Sequence, residues 1–229
     1  MKAMILAAGR GERMRPLTDT VPKPLLAVRG KSLIVRHIQA LRAAGIVEIV
    51  INTAHLGDVI EAALGNGARY GVQLRYSREG ADASAALETA GGIATALPLL
   101  TSGDDAPFFV VNGDVLTDFS FSRAQACAAQ LRAGEGWLVM VPNPAQHPRG
   151  DFGLHTGKIR YAEPDRTTFT YSGIGVFRPS FFATAKAHEK LKLRPLLDAA
   201  IATNALHGEL HSGLWEDVGS LERLAALNA

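Results

Sequence analysis

The chain of 229 residues has a single cysteine, Cys127, which excludes an internal disulfide and a metal cluster built from thiolates. A reducing, cytoplasmic setting is therefore expected. Charge of one sign is equally scarce. Twenty-four Lys and Arg face 22 Asp and Glu, leaving a formal net charge of +2, and the basic residues are scattered. That pattern lacks the electrostatic footprint of a nucleic-acid binder. No apolar run approaches membrane length, and the one that follows Met1-Lys2 stops at Gly9, too short for a secretory leader. Neither nucleic acid nor a membrane is expected as a partner.

What the chain does have is apolar content: 47% of its residues are hydrophobic, enough to bury a sizeable core. No repeat, low-complexity tract or long linker divides it, so one domain over residues 1–229 is expected. Lys2 to Ala8 is an apolar run without alternation, which reads as a strand buried on both faces. Ser32 stands where a helix cap belongs, ahead of Leu33, Ile34, Ile38 and Leu41 at helical spacing, and Gly45 ends that helix. A strand over Ile46 to Ile51, a helix over 55–64, a strand near 72–76, a helix near 89–100 and the strand Phe108 to Val111 continue the alternation. Such an order predicts a parallel sheet with right-handed crossovers.

From 137 to about 178, Pro, Gly and Asp clusters separate short segments, which read as hairpins or strands added over one end of the sheet. Helical patterns return near 179–190, 193–203 and 219–227. His37 and His55 fall in helical segments, and His147, His155, His207 and His211 lack metal-ligand spacing, so structural or surface roles are expected for all of them. Trp137 and Phe177 read as core.

Directly after the first strand comes Leu6-Ala7-Ala8-Gly9-Arg10-Gly11-Glu12-Arg13-Met14-Arg15-Pro16-Leu17-Thr18, followed by Pro22-Lys23-Pro24-Leu25. Ligands of open parallel sheets collect beyond the C-terminal strand ends, and small residues there let backbone N–H groups approach phosphate oxygens. Arg13 and Lys23 supply the positive charge that a triphosphate requires. The string is neither a dinucleotide fingerprint nor a Walker loop. It resembles the signature of the sugar-phosphate nucleotidyltransferase superfamily, with every position filled.

That resemblance implies an α/β fold: a Rossmann-like three-layer sandwich with a mostly parallel central sheet and a small added β region, of the glycosyltransferase-A-like kind. Residues 1–118 and 205–229 would form the nucleotide and metal part, and 137–178 the sugar part. The implied reaction is attack by a sugar 1-phosphate oxygen on the α-phosphorus of an NTP, releasing pyrophosphate. Carried over by position, Gly11, Glu12 and Arg13 embrace the triphosphate, Lys23 neutralises the reacting phosphates, and Ala7 to Gly9 border the nucleoside. Arg13, Lys23 and Asp114 are the catalytic set.

Asn112-Gly113-Asp114 follows a strand, and Trp215-Glu216-Asp217-Val218-Gly219 precedes the last helix. Both strings are similar to the superfamily's metal-binding segments, which makes Asp114 and Asp217 the expected Mg2+ ligands; two carboxylates suffice, because magnesium keeps water and substrate phosphates. On the sugar side the resemblance assigns Asn112, Asp151, Ser172 and Gly173. Leu87-Glu88-Thr89-Ala90-Gly91-Gly92 departs from the family's Glu-Thr-Gly-Gly-Gly at Ala90, so base specificity is not assigned from it, and Ala81 to Ala86 reads as a mobile loop over the nucleotide.

The lysine of the family's Glu-Lys-Pro string is missing from Tyr161-Ala162-Glu163-Pro164-Asp165. This argues against the usual glucose and mannose substrates. Over its full length the resemblance implies UTP and N-acetylmuramic acid α-1-phosphate as partners, in cell-wall recycling, by a monomer or small homo-oligomer. Mannose 1-phosphate with GTP, glucose 1-phosphate with UTP or dTTP, and a catalytically silent nucleotide-binding regulator stand as alternatives.

Overall fold

The computed structural model describes residues 1–80 and 83–229. Its regular elements, in chain order, begin with β1 (Ala3–Leu6), β2 (Ala27–Val28), β3 (Lys31–Ser32), α1 (Leu33–Ala43), β4 (Glu48–Thr53), α2 (Gly57–Leu64), β5 (Gln73–Arg78) and α3 (Glu88–Leu100). There follow β6 (Phe108–Asn112), β7 (Val115–Thr117), α4 (Arg123–Ala128), β8 (Gly136–Val141), β9 (Phe152–His155), β10 (Lys158–Arg160) and β11 (Thr168–Phe177). The chain closes through α5 (Arg194–Ala202), β12 (Leu206–Leu210), β13 (Trp215–Asp217) and α6 (Leu221–Asn228).

The central sheet has nine strands in the order β5-β4-β1-β6-β11-β8-β12-β10-β9. Its first four are parallel, as the strand-helix alternation predicts. β11 then runs antiparallel between β6 and β8, and β12 is parallel to β8. The segments of 137–178 therefore extend the same sheet rather than forming a layer of their own.

Burial on both faces explains why the strands carry no polar alternation. Along β1, Ala3 and Ile5 join the core under α1 and α2, while Met4 points to the core under α3 and α5. β6 divides likewise, Phe109 and Val111 against Phe108 and Val110, and β8 sends Val139 one way and Met140 the other. Fully burying a side chain as large as Phe108 or Phe109 contributes about 1.5–3 kcal/mol. A third cluster, Met14, Leu26, Val28, Leu33 and Val218 with Leu224 and Leu227 against it, lies under the glycine-rich loop and fastens α6 to it.

Three local expectations need correction. Ser32 occupies the cap position of α1, yet its hydroxyl makes no capping bond. Residues 179–190 hold only the 3-10 turn Pro179–Phe182, because Phe181 and Phe182 are spent in the core and His188 adopts φ 63°, which interrupts a helix. His55 lies in a turn just before α2, where its Nε2 is 2.9 Å from the Thr18 carbonyl. Of the loop expected over Ala81 to Ala86, Ala81 and Asp82 lie outside the described residues, and Ala83–Ala85 forms a 3-10 turn.

Candidate active site

The glycine-rich loop leaves β1 at Ala7, whose N–H donates to Asn52 Oδ1 at the end of β4 (2.8 Å). Gly11 takes φ 70°, a left-handed conformation open to glycine at little cost, and opens the 3-10 turn Glu12–Met14. Buried Thr18 ties the loop back by donating its hydroxyl to the Gly11 carbonyl (3.0 Å). A Cβ built on Gly9 would meet nothing within 4 Å, so its smallness answers to the space in front of it and not to a protein neighbour. Arg10 is committed to the Thr18 carbonyl and Asp19, whereas the Arg13 side chain is 69% exposed and reaches into the cleft.

Lys23, in the 3-10 turn Lys23–Leu25, is 11% exposed. Its ammonium donates to Asp114 Oδ2 and lies 3.6 Å from Asp217 Oδ1. Two features bring the aspartates there. Gly113 donates its N–H to the Leu6 carbonyl (2.8 Å), and a Cβ on it would sit 2.8 Å from that oxygen and 3.3 Å from Pro24, so only glycine lets this turn close on the first loop. β7 and β13 pair antiparallel with Asp217 opposite Val115, which puts Asp217 one rung from Asp114. Arg223 on α6 holds Asp217 from behind, with Nη1 2.6 Å from its carbonyl and 3.2 Å from Oδ2. Nothing at sequence level marks Arg223.

A cavity of about 370 Å³ opens beside these groups at the ends of β1, β4, β5 and β6. Leu6, Ala7, Ala8, Asn52, Glu79, Glu88, Thr89 and Lys190 line it, with Lys23 and Asp114 at one end. Glu79 accepts from Asn52 Nδ2 (2.6 Å) and from the Leu87 N–H (2.7 Å). Burial pushes its carboxyl pKa up, partly offset by those two donors. A Cβ on Gly92 would meet Glu79 Oε1 at 2.3 Å, and one on Gly91 the Glu189 carbonyl at 2.1 Å, so both glycines have reasons inside the protein. Ala90 is fully buried in the core. Asn52, Glu79 and Lys190 carry no sequence signal because the fold, and not a contiguous motif, brings them to one cavity.

On the other side of Asp114, a space of about 280 Å³ is bounded by Arg13, Asn112, Gln146, His147, Tyr171, Trp215 and Asp217. The four residues assigned to the sugar divide here. Asn112 faces both cavities. Gly173 takes φ 77°, and a Cβ on it would lie 2.4 Å from Asn112 Nδ2, so it makes room for Asn112. Ser172 borders the space, but its hydroxyl is buried and donates to the Val139 carbonyl (2.7 Å), while its own carbonyl accepts from Trp215 Nε1 (2.9 Å). Asp151 uses both carboxylate oxygens within the protein, Oδ2 on the Tyr171 N–H (2.8 Å) and Oδ1 on His147 Nε2 (3.0 Å).

All donors around Lys23 are oxygens, the ligand set of a hard cation, and two carboxylates already converge on one positive charge. The arrangement can hold a divalent ion that keeps water and phosphate ligands. Among the described residues no cluster of three or more His, Cys, Asp and Glu forms a closed protein cage, and no helix is long and apolar enough to cross a membrane.

The sequence profile of the family described as "Nucleotidyl transferase" matches residues 2–229. Over the whole chain and 97% of the relative, identity reaches 51% with an N-acetylmuramate alpha-1-phosphate uridylyltransferase of Neisseria meningitidis. A mannose-1-phosphate guanyltransferase of Gibberella zeae is 32% identical over 96% of this chain, which spans 61% of that protein's length. Among solved structures, a Bacillus anthracis protein assigned as a glucose-1-phosphate thymidylyltransferase superimposes at TM-score 0.84 with 22% identity, covering 100% of this chain and 94% of its own.

Proposed function

The chain belongs to the nucleotidyl transferase family, and from that premise we propose that it transfers UMP from UTP to N-acetylmuramic acid α-1-phosphate, releasing pyrophosphate. The observation that carries the reaction class is the convergence of Lys23 with Asp114 and Asp217 at the mouth of a cavity beyond the parallel strand ends. Identity of 51% over the full chain supports the substrates.

In this reading the base and ribose enter the cavity between Ala7, Ala8 and Glu79, and the triphosphate lies along the Gly9–Arg13 turn. Backbone N–H groups and Arg13 hold the β- and γ-phosphates. Lys23 neutralises charge on the α-phosphate as the sugar phosphate oxygen attacks and pyrophosphate departs. Phosphoryl-type transfer asks a protein for positioning and charge stabilisation above all. The attacking phosphate is already ionised near neutral pH, so no general base is required. Asp114 and Asp217 would hold Mg2+, which supplies further neutralisation of the phosphates when bound. A cytoplasmic enzyme of cell-wall recycling accords with these substrates.

The test is pyrophosphate release across four NTPs and a panel of sugar 1-phosphates, with and without magnesium. UTP with N-acetylmuramic acid 1-phosphate is expected to be the fastest pair, dependent on the metal. Release only with GTP and mannose 1-phosphate would overturn the substrates. Release with no pair, while nucleotide still binds, would overturn the activity.

A further inference from the structure

The sugar-side space carries one group able to take a positive charge that the reaction does not use. Of the side chains bounding it, Arg13 and His147 can be cationic, and Arg13 belongs to the triphosphate turn. His147 comes instead from the loop between β8 and β9, and that loop is fastened firmly. The Asn143 side chain donates from Nδ2 to the Thr168 carbonyl (3.1 Å) and accepts from the Thr170 hydroxyl (3.0 Å), both on β11. Gly150 takes φ 58° directly over Asn143, where a Cβ would meet Oδ1 at 2.4 Å. The His147 N–H donates to the Pro144 carbonyl (2.8 Å).

Within this fixed loop the imidazole is oriented by a carboxylate that is itself pinned. Asp151 accepts from the Tyr171 N–H through one oxygen and from His147 Nε2 through the other. A carboxylate can only accept, so Nε2 is the protonated nitrogen. Nδ1 has no hydrogen-bond partner among the described residues, and the residue is left at the wall of the sugar space. Elsewhere that space presents Asp114 and Asp217, which repel a second anion.

We propose that His147, braced by Asp151, receives the carboxylate of an acidic sugar 1-phosphate and so selects it over the neutral sugar. This rests on the substrate reading above. N-acetylmuramic acid differs from N-acetylglucosamine by a lactyl ether that ends in a carboxylate. With a proton on each ring nitrogen, Nδ1 donates to the substrate carboxylate as Nε2 donates to Asp151. Asp151 is then a positioning residue, and His147 a specificity residue.

The experiment compares N-acetylmuramic acid 1-phosphate with its lactyl methyl ester, which keeps the size and removes the charge, by KM with UTP or by Ki where the ester is not turned over. The unsubstituted enzyme should prefer the acid by about tenfold or more, the scale of one charge-assisted hydrogen bond. His147→Ala should reduce that preference to within about threefold with kcat changed by less than about twofold, and His147→Lys should restore it. Asp151→Asn should weaken it in the same direction. An undiminished preference in His147→Ala, or KM rising equally for acid and ester, would overturn the assignment. An unsubstituted enzyme inactive on the acid with UTP would sink the substrate reading itself, an outcome separable from these.

Discussion

Lys23 and Asp217 come within 3.6 Å of each other although they lie near opposite ends of the chain, and Asp114 shares the same ammonium. One cation stands between two carboxylates that are each less than a third exposed. Its removal leaves like charges side by side in a partly dry site. Lys23→Ala is therefore expected to lower kcat by roughly 10²–10³ while the fold persists. Its melting temperature should rise more with added magnesium than that of the unsubstituted protein. Equal magnesium responses and an unchanged kcat would contradict this arrangement.

Arg223 grips Asp217 by both its carbonyl and its carboxylate. Groups that orient a metal ligand typically account for about 10–100-fold in metal affinity. Arg223→Ala should raise the magnesium concentration for half-maximal rate by about that factor, with a smaller change in kcat at saturating metal. Asp217→Asn should abolish most turnover at any magnesium concentration, and a variant that saturates normally would exclude Asp217 as a ligand.

Gly173 is strained for any other residue twice over, by φ 77° and by the Asn112 side chain 2.4 Å from a would-be Cβ. Gly173→Ala is expected to destabilise the protein by about 1–2 kcal/mol and to raise the KM for the sugar phosphate through displacement of Asn112, leaving the KM for UTP nearly unchanged. Parallel KM measurements decide it.

His37 on α1 is buried against Phe121, with ring centroids 6.0 Å apart, and its Nε2 has no hydrogen-bond partner among the described residues. Burial pulls its pKa from the usual 6.5 down to about 4, against smaller opposing contributions from the Val115 and Asn112 backbone and Asp114. Between those values the unfolded chain binds a proton that the folded chain refuses. Stability from this group is full above about pH 6.5 and falls toward pH 4, by about 3 kcal/mol at most. Thermal melts of His37→Gln from pH 7 to 4.5 should show a shallower slope than the unsubstituted protein, and parallel slopes would refute the account.

Legibility in the sequence followed locality. The glycine-rich loop, Lys23 and Asp114 could be placed because strand, turn and charged residue are contiguous, and the four parallel strands could be read from apolar runs bounded by glycine. Asp217 was legible only through resemblance. The antiparallel insertion of β11 between β6 and β8 was not, since a strand buried on both faces looks alike in either direction. Ser172 was assigned to the sugar from its segment, yet at the register shift between Tyr171 and Gly175 its hydroxyl turns toward the Val139 carbonyl. Glu79 escaped notice because its partner Asn52 comes from another strand, Arg223 because no motif marks it, and His147 was read as structural or surface because the space it borders is assembled only by the fold.

The clasp between α6 and the first hairpin reaches beyond stability. Asn228 accepts from the Arg29 N–H and donates to the Ala27 carbonyl, so the late helix that steadies Asp217 is buttoned to early sequence. Of the two carboxylates beside Lys23, the chain up to β12 carries Asp114 alone. A cut between β12 and β13 removes Asp217 and the α6 clasp together, so turnover is expected to vanish with it, and a truncated protein that keeps its rate would contradict the pairing.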